Sequence, residues 1–316
     1  MVTRRKFVSA ASALMVPALA PGLFESAANA KTPEMTTVKI GTILVGTCIA
    51  GNLVQTYLKQ QGVDVEILPF SNIVQRMQAV ASGDVQIGYG GINAAVQLAS
   101  HGFPLAVLAN GCDGGFDVIG RAPLKRFEDL KGKKIAVQFG SLGYATLQWK
   151  LQHLNMTDQV VQLNMDNQDM PVALQRGDVD AFYATEPFPT IARINGWGQS
   201  IWLPIDTPLG KTNVGLVASQ DFITKNPILT RMIVDAHVRA TQALAKDNTL
   251  AVDAIVKALN VSRQAALESM QTTWFSADSG PGFQKNVMAM GDMMLQSKLI
   301  QKLPNWKEFI QTGMVA

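Results

Sequence analysis

Two octets decide how this chain is read: GDVQIGYG at 83–90 and GDVDAFYA at 177–184. Each follows a helix-like run, NIVQRMQAVAS (72–82) in the first case and QDMPVALQR (168–176) in the second. Further upstream, VKIGTI (38–43) and KKIAVQF (133–139) also match. Gly83 and Gly177 are 94 residues apart, and Ile40 and Ile135 are 95 apart. Two separate segments at nearly one offset mark a duplicated architectural unit. Two copies of this length are not a solenoid. They predict two similar lobes, and two lobes imply a cleft.

Outward from the octets, strands and helices alternate. In the first copy, strands are predicted at 38–43, 63–70, 84–90 and 104–110, with helices at 52–61, 73–82 and 92–101 between them. The second copy repeats this order: strands at 133–139, 160–166, 179–184 and 200–205, helices at 142–154, 168–176 and 188–194. Such alternation defines an α/β class with mostly parallel sheets. After 213 the pattern becomes helical, and Asn226-Pro227 supplies an N-cap and a first-turn proline for a long helix. Helices near 250–258, 262–272 and 283–298 follow. The segments 117–124 and 212–219 are the predicted crossovers between lobes. Lobe 1 is then 36–120 plus 216–316, with the helical tail, and lobe 2 is 121–215.

The 316 residues suffice for two domains, and 47% hydrophobic against 16% charged residues describes a chain with a substantial core. The net charge is +3, of which residues 1–30 carry +2 through Arg4, Arg5, Lys6 and Glu25, leaving +1. That balance disfavours nucleic-acid binding. Residues 1–30 read as an export signal: three cations, the apolar stretch FVSAASALMVPALA, and Ala28-Asn29-Ala30 as an A-x-A site, with cleavage after Ala30. TRRKFV (3–8) resembles the twin-arginine signature. Pro17 and Pro21 interrupt the apolar stretch, which is short for a membrane span. The expected location of the mature protein is the periplasm. Cys48 and Cys112 are the two cysteines; folding before export would disfavour a disulfide between them.

Several catalytic patterns begin and do not complete. Gly210-Lys211-Thr212 resembles the end of a phosphate-binding loop, but Ile205 stands where its first glycine belongs. Gly88 and Gly90 could open a dinucleotide fingerprint, yet Asn93 occupies the third glycine position. His101, His153 and His237 are scattered, and neither cysteine has a metal-ligand neighbour at useful spacing. No cofactor and no metal are expected. FGSLG (139–143) approaches a nucleophile elbow around Ser141, with Phe139 replacing its first glycine and no histidine assignable as base. Ser141 is also a good N-cap for the helix it precedes. The methionines of VMAMGDMMLQ (287–296) read as core filling, and Trp274 and Trp306 as packing residues.

In parallel sheets, ligands collect where strands end and helices begin. VGTC (45–48), YGGIN (89–93), GSLGY (140–144) and ATEP (184–187) lie at such ends. Gly90 and Gly91 permit close backbone approach, and Asn93 offers an amide. Thr47, Ser141, Tyr144 and Thr185 bring hydroxyls.

On ASGDVQIGYGGINAAVQLA (81–99), RFEDLKGKKIAVQFGS (126–141), LQRGDVDAFYATEPFP (174–189) and VASQDFITKNP (217–227), the chain resembles the periplasmic substrate-binding proteins of ABC importers, in the nitrate/sulfonate/taurine-binding group. The resemblance implies a type II two-lobed fold, a ligand held between the lobes, and a monomer delivering it to a permease and its ATPase. Pocket positions carried over are Thr47 and Cys48; Gly90, Gly91, Ile92 and Asn93; Ser141, Leu142, Gly143 and Tyr144; Glu186; and Asn213. ATEP departs from relatives that carry an aromatic before the acidic-Pro pair. A related group binds the pyrimidine precursor of thiamine, and the Cys-rich segment of the enzyme branch is missing here.

The segments 45–54, 88–97 and 139–146 contain no Lys or Arg. The expected ligand is therefore a small organic anion, a sulfonate or carboxylate, held by helix N-termini and uncharged donors. Glu186 either accepts a proton-bearing group of the ligand or caps its own helix. The competing readings are a pyrimidine-precursor binder and an exported serine hydrolase using Ser141.

Overall fold

The computed structural model describes residues 32–315, so the export signal expected over 1–30 lies outside the described residues. The first copy runs β1 (Thr37–Thr42), α1 (Ala50–Lys59), β2 (Asp64–Pro69), α2 (Ile73–Ser82), β3 (Ile87–Tyr89), α3 (Ile92–Ser100) and β4 (Leu105–Gly114). The chain then crosses into β5 (Phe116–Gly120). The second copy follows as β6 (Lys134–Val137), α4 (Leu142–His153), β7 (Val161–Asn164), α5 (Met170–Arg176), β8 (Ala181–Thr185), α6 (Phe188–Ile194) and β9 (Gln199–Trp202). β10 (Thr212–Ser219) returns it to the first sheet. The tail holds α7 (Gln220–Lys225), α8 (Pro227–Lys246), α9 (Asn248–Leu259), α10 (Arg263–Ser269), β11 (Thr273–Phe275), α11 (Pro281–Gln296) and α12 (Trp306–Phe309).

The sheets show the duplication directly. Their orders are β11-β4-β10-β3-β1-β2 and β7-β6-β8-β5-β9. In both, the first strand of the copy is central between its second and third strands, to which it pairs in parallel. Ile40 sits opposite Ile67 and Ile87, while Ile135 sits opposite Gln162 and Ala181. The expected parallel-type sheets need one correction, because each is mixed. A crossing strand, β10 in the first sheet and β5 in the second, lies antiparallel between the third and fourth strands of the copy.

That insertion also corrects the crossovers. The expected linkers at 117–124 and 212–219 are largely strand, since Asp117 to Gly120 belong to β5 and all of 212–219 is β10. The first crossing falls at Gly114 and Gly115, both with positive φ (67° and 73°). A Cβ on Gly115 would collide with the methyl of Thr47, so glycine is required at this close approach. Sheet membership places 116–120 with the second lobe rather than the first.

The repeated octets now have a cause. Gly83 (φ 87°) and Gly177 (φ 82°) are the left-handed C-caps of α2 and α5. Such a cap is cheap only for glycine, and it turns the chain back toward the sheet. Val85 and Val179 then bury as each chain enters its strand. Both faces of both sheets are covered by apolar residues. One cluster runs continuously from α2 and α3 through Phe116 and Tyr183 to α4 and α11. Met290, Met293 and Met294 of the methionine-rich helix are buried in it, and Trp306 packs against it. Among the described residues, no helix is long and apolar enough to cross a membrane.

Candidate functional site

Between the lobes, the strand-to-helix ends of both copies face one cleft. One part of it is lined by Gly91, Asn93 and Asn213 from the first lobe and by Ser141, Leu142, Gly143 and Thr185 from the second. Ile73, Phe116, Asn167, Tyr183 and Ala184 complete the wall. A neighbouring part of the cleft is lined by residues of both lobes including Phe70, Ser71, Gln138, Asp166 and Phe188, with Asn167 common to both.

The lobes touch directly across this cleft. Asn93 Nδ2 donates to Gly140 O (2.8 Å), Gln138 Nε2 to Ser71 O (2.8 Å), and the Gly46 N–H to Glu186 O (2.9 Å). The Asn93 and Gln138 bonds bridge the cleft, whereas the Gly46 bond lies beside the Gly115 crossing.

The helix starts in the cleft differ. Ser141 Oγ accepts the Tyr144 N–H (3.1 Å) and caps α4, and Asn72 caps α2 through the Val74 and Gln75 N–H groups. The N-cap of α3 is Gly91 (φ 66°), which has no side chain to offer. The first-turn N–H groups of α3 are thus an uncapped positive end at the cleft. Asn93 Oδ1 is buried beside them without a hydrogen-bond partner among the described residues.

The remaining predicted residues stand behind the wall. Thr47, Cys48 and Ile92 are buried in the first lobe, and the Gly90 N–H is used by Gly215 O. Tyr144 stacks on Phe139 with centroids 4.7 Å apart. Cys48 and Cys112 are both buried free thiols.

Glu186 faces neither solvent nor the cleft lining. Its Oε2 accepts the Thr190 N–H (3.1 Å), while its Oε1 meets Arg193 Nη2 (3.3 Å) and the Thr272 hydroxyl (3.2 Å). Of the two roles expected, the helix start and an ion pair occupy it. Asp117 shares the same guanidinium (3.9 Å) and accepts the Ser200 hydroxyl (2.6 Å). Burial pushes Glu186 up to about 7 and Asp117 to about 6, with Arg193 opposing both shifts. Two buried carboxyls with one cation favour a shared proton.

No histidine bonds to Ser141 among the described residues. His237 is buried between the Tyr89 hydroxyl and Asn110 O, and burial lowers it to about 4. The neutral ring thus donates from Nε2 to Asn110 and accepts from Tyr89 at Nδ1. His101 bonds to Gln97 O, and His153 stacks on Trp149. No group of three or more metal-ligating side chains occurs among the described residues.

Asn167, Phe70 and Ser71, which the sequence reading does not single out, also lie at strand ends, following β7 and β2. Arg76 was also missed. It lies on α2 at 0% exposure, against the Gly90-Gly91 turn. A buried cation therefore stands behind a cleft expected to hold its ligand mainly by uncharged donors.

Two α/β lobes, sheets ordered second-first-third with an inserted antiparallel strand, and a cleft at the strand ends define the type II periplasmic-binding-protein fold. The ligand-binding component of an ABC-type import system from Staphylococcus aureus, solved with zinc bound, superposes with a TM-score of 0.78 at 16% identity, covering 89% of this chain and 98% of that one. The alkanesulfonate-binding protein SsuA from Xanthomonas axonopodis pv. citri, bound to MOPS, gives 0.75 at 16% identity, covering 88% and 98%. The chain belongs to the NMT1/THI5-like family, whose model matches residues 52–251. The taurine-binding periplasmic protein of Escherichia coli (strain K12) is 33% identical over 204 residues, and the match spans 59% of this chain and 59% of that protein's length.

Proposed function

We propose that this protein is the extracytoplasmic solute-binding component of an ABC importer, and that it captures a small organic anion of the sulfonate or carboxylate class between its lobes. The observation that carries the reading is the uncapped N-terminus of α3, which opens into a cleft that only closure of the lobes completes. Backbone N–H groups at such an end favour negative charge. Relatives named for taurine and alkanesulfonate support the class. The closed surface then serves as the signal read by a permease whose ATPase drives import, and the binding protein works as a periplasmic monomer without a catalytic step. The lobes divide near Gly115 and again between β9 and β10, and these crossings serve as the hinges.

A second reading rests on Phe116 and Tyr183, whose rings (centroids 6.1 Å apart) form part of the cleft wall and offer a flat ring a place to pack. It would suit a pyrimidine. A thermal-shift screen of sulfonates, nitrate, small carboxylates and pyrimidines separates the two, since a ligand of the native state alone raises Tm. Small-angle scattering with the best ligand should show compaction. Stabilisation by pyrimidines alone would overturn the anion reading, and ester turnover lost in Ser141→Ala would overturn the non-catalytic one.

A further inference from the structure

The strongest unexplained feature in the molecule is Arg76. Its side chain is 0% exposed, and Nε, Nη1 and Nη2 all lack a hydrogen-bond partner among the described residues. Guanidinium groups are ordinarily buried only with partners, because desolvating an unpaired charge is costly. No carboxylate pairs with it among the described residues; the titratable group that acts on it is Cys48. Burial holds the Cys48 thiol above its usual range, so that neighbour is neutral, and Arg76, lowered to about 10, keeps its charge at neutral pH.

Its surroundings add to the deficit. A Cβ on Gly91 would lie 2.7 Å from Nη2, and one on Gly90 would lie 3.5 Å from it. The guanidinium therefore sits beside the uncapped start of α3, where the helix presents further positive potential. Gly91 lines one part of the cleft, and Phe70, which packs beside the Arg76 stem against β1, lines the other. The guanidinium itself is fully buried behind this turn, and only glycine at 90 and 91 keeps side-chain atoms from being packed against it.

The fold does not require this charge. Arg76 stands seven residues before Gly83, and the residue seven before Gly177 in the other copy is Met170, which is fully buried in an apolar cluster. One architectural position thus holds a methionine in the second copy and an arginine behind the cleft-lining Gly91 in the first.

From this geometry we infer that Arg76 is the counter-ion of the ligand: it pairs with a sulfonate or carboxylate head that also takes the N–H groups at the start of α3. The planar fork of a guanidinium matches two oxygens of such a head. The unpartnered Asn93 Oδ1 on the same wall accepts an N–H or O–H from the same ligand. The inference rests on the solute-binding reading above and names the residue that sets its charge selectivity.

The test compares the purified protein with its Arg76→Met and Arg76→Lys variants, using calorimetry and thermal shift with taurine, MOPS, nitrate, acetate and the neutral pyrimidine cytosine. At least one anion should bind the parent protein. Arg76→Met should weaken that anion on the order of 10- to 100-fold, and Arg76→Lys should lose less. Without ligand, Arg76→Met should melt higher than the parent, because an unpaired buried charge has been removed; a purely structural arginine would give the opposite. Equal anion affinity in Arg76→Met, or a lower ligand-free Tm, overturns the role of Arg76 while leaving the solute-binding reading standing. Binding of cytosine alone overturns the anion site but not capture of a solute. Binding of none of the five overturns both.

Discussion

Position 76 and position 170 occupy the same place in two copies of one unit, seven residues ahead of a left-handed glycine cap. The first is an arginine buried without a partner, and the second is a methionine in an apolar cluster. The second lobe keeps its buried charge elsewhere, in Asp117, Glu186 and Arg193, where the cation meets both acids. In the second lobe the buried acids share a cation, although Arg193 Nε has no partner among the described residues. On the inference above, Arg76 in the first lobe gains its partner from an anion in the cleft.

The sharpest test of that contrast pairs two substitutions. Arg193→Met strands two buried carboxyls, and breaking a buried ion pair costs about 3 kcal/mol. Urea denaturation should show that loss in the ligand-free protein, while Arg76→Met should show none. Equal destabilisation by both would mean that Arg76 is structurally satisfied.

The acid cluster should also make stability depend on pH. Glu186 and Asp117 titrate higher in the folded state, near 7 and 6, than their ordinary values of 4.5 and 3.8. The folded protein therefore binds more protons than the unfolded chain across that window, and stability falls as pH rises through it. If the two groups titrate independently, the loss between pH 4 and pH 7 should be on the order of 5 kcal/mol. A series of melting curves should show it, and Glu186→Gln should flatten much of the slope. A stability that rises over this range would contradict the shared-proton account.

A smaller effect is expected at Gly91. Its φ of 66° is left-handed, and a Cβ there would press on Arg76 and Ile73. Gly91→Ala should cost about 1–2 kcal/mol by denaturation and weaken anion binding by calorimetry, since it covers the guanidinium. Unchanged binding would place the ligand away from this turn. Ser141→Ala should be milder still, with a loss of about 1 kcal/mol for the cap of α4. Because the hydroxyl already serves Tyr144, its removal should change stability more than affinity, and the reverse ranking would make Ser141 a direct ligand contact.

Much of this was legible beforehand. The offset octets and the alternation of strand and helix periods are local signals, and the elements of the two copies follow them closely. β5 and β10 lie in segments whose pattern predicts crossovers, because each copy is complete without them. β10 (TNVGLVAS) is buried along its whole length, but its insertion beside β3 is a tertiary choice. β11 is shorter still, three residues held by pairing with Gly114, Asp113 and Cys112 of β4. At the candidate site, the strand-end residues Gly91, Asn93, Ser141 and Thr185 line one part of the cleft. Arg76 had a signal too, for Ile73, Arg76, Met77 and Val80 form the inward stripe of α2. A cation on that stripe is a question the pattern poses but cannot answer.

Sequence by itself determined the duplication, the α/β class, the glycine caps and the family, because each depends on residues close together in the chain or on the repeat of a pattern. Tertiary structure decided which strands cross between lobes. It also decided that Glu186 is held by Arg193 and that Arg76 lies under the Gly90-Gly91 turn with no partner. Those outcomes depend on groups up to about a hundred residues apart arriving at one place, and on which of their charges arrive together. A single sequence records the groups but not their meeting.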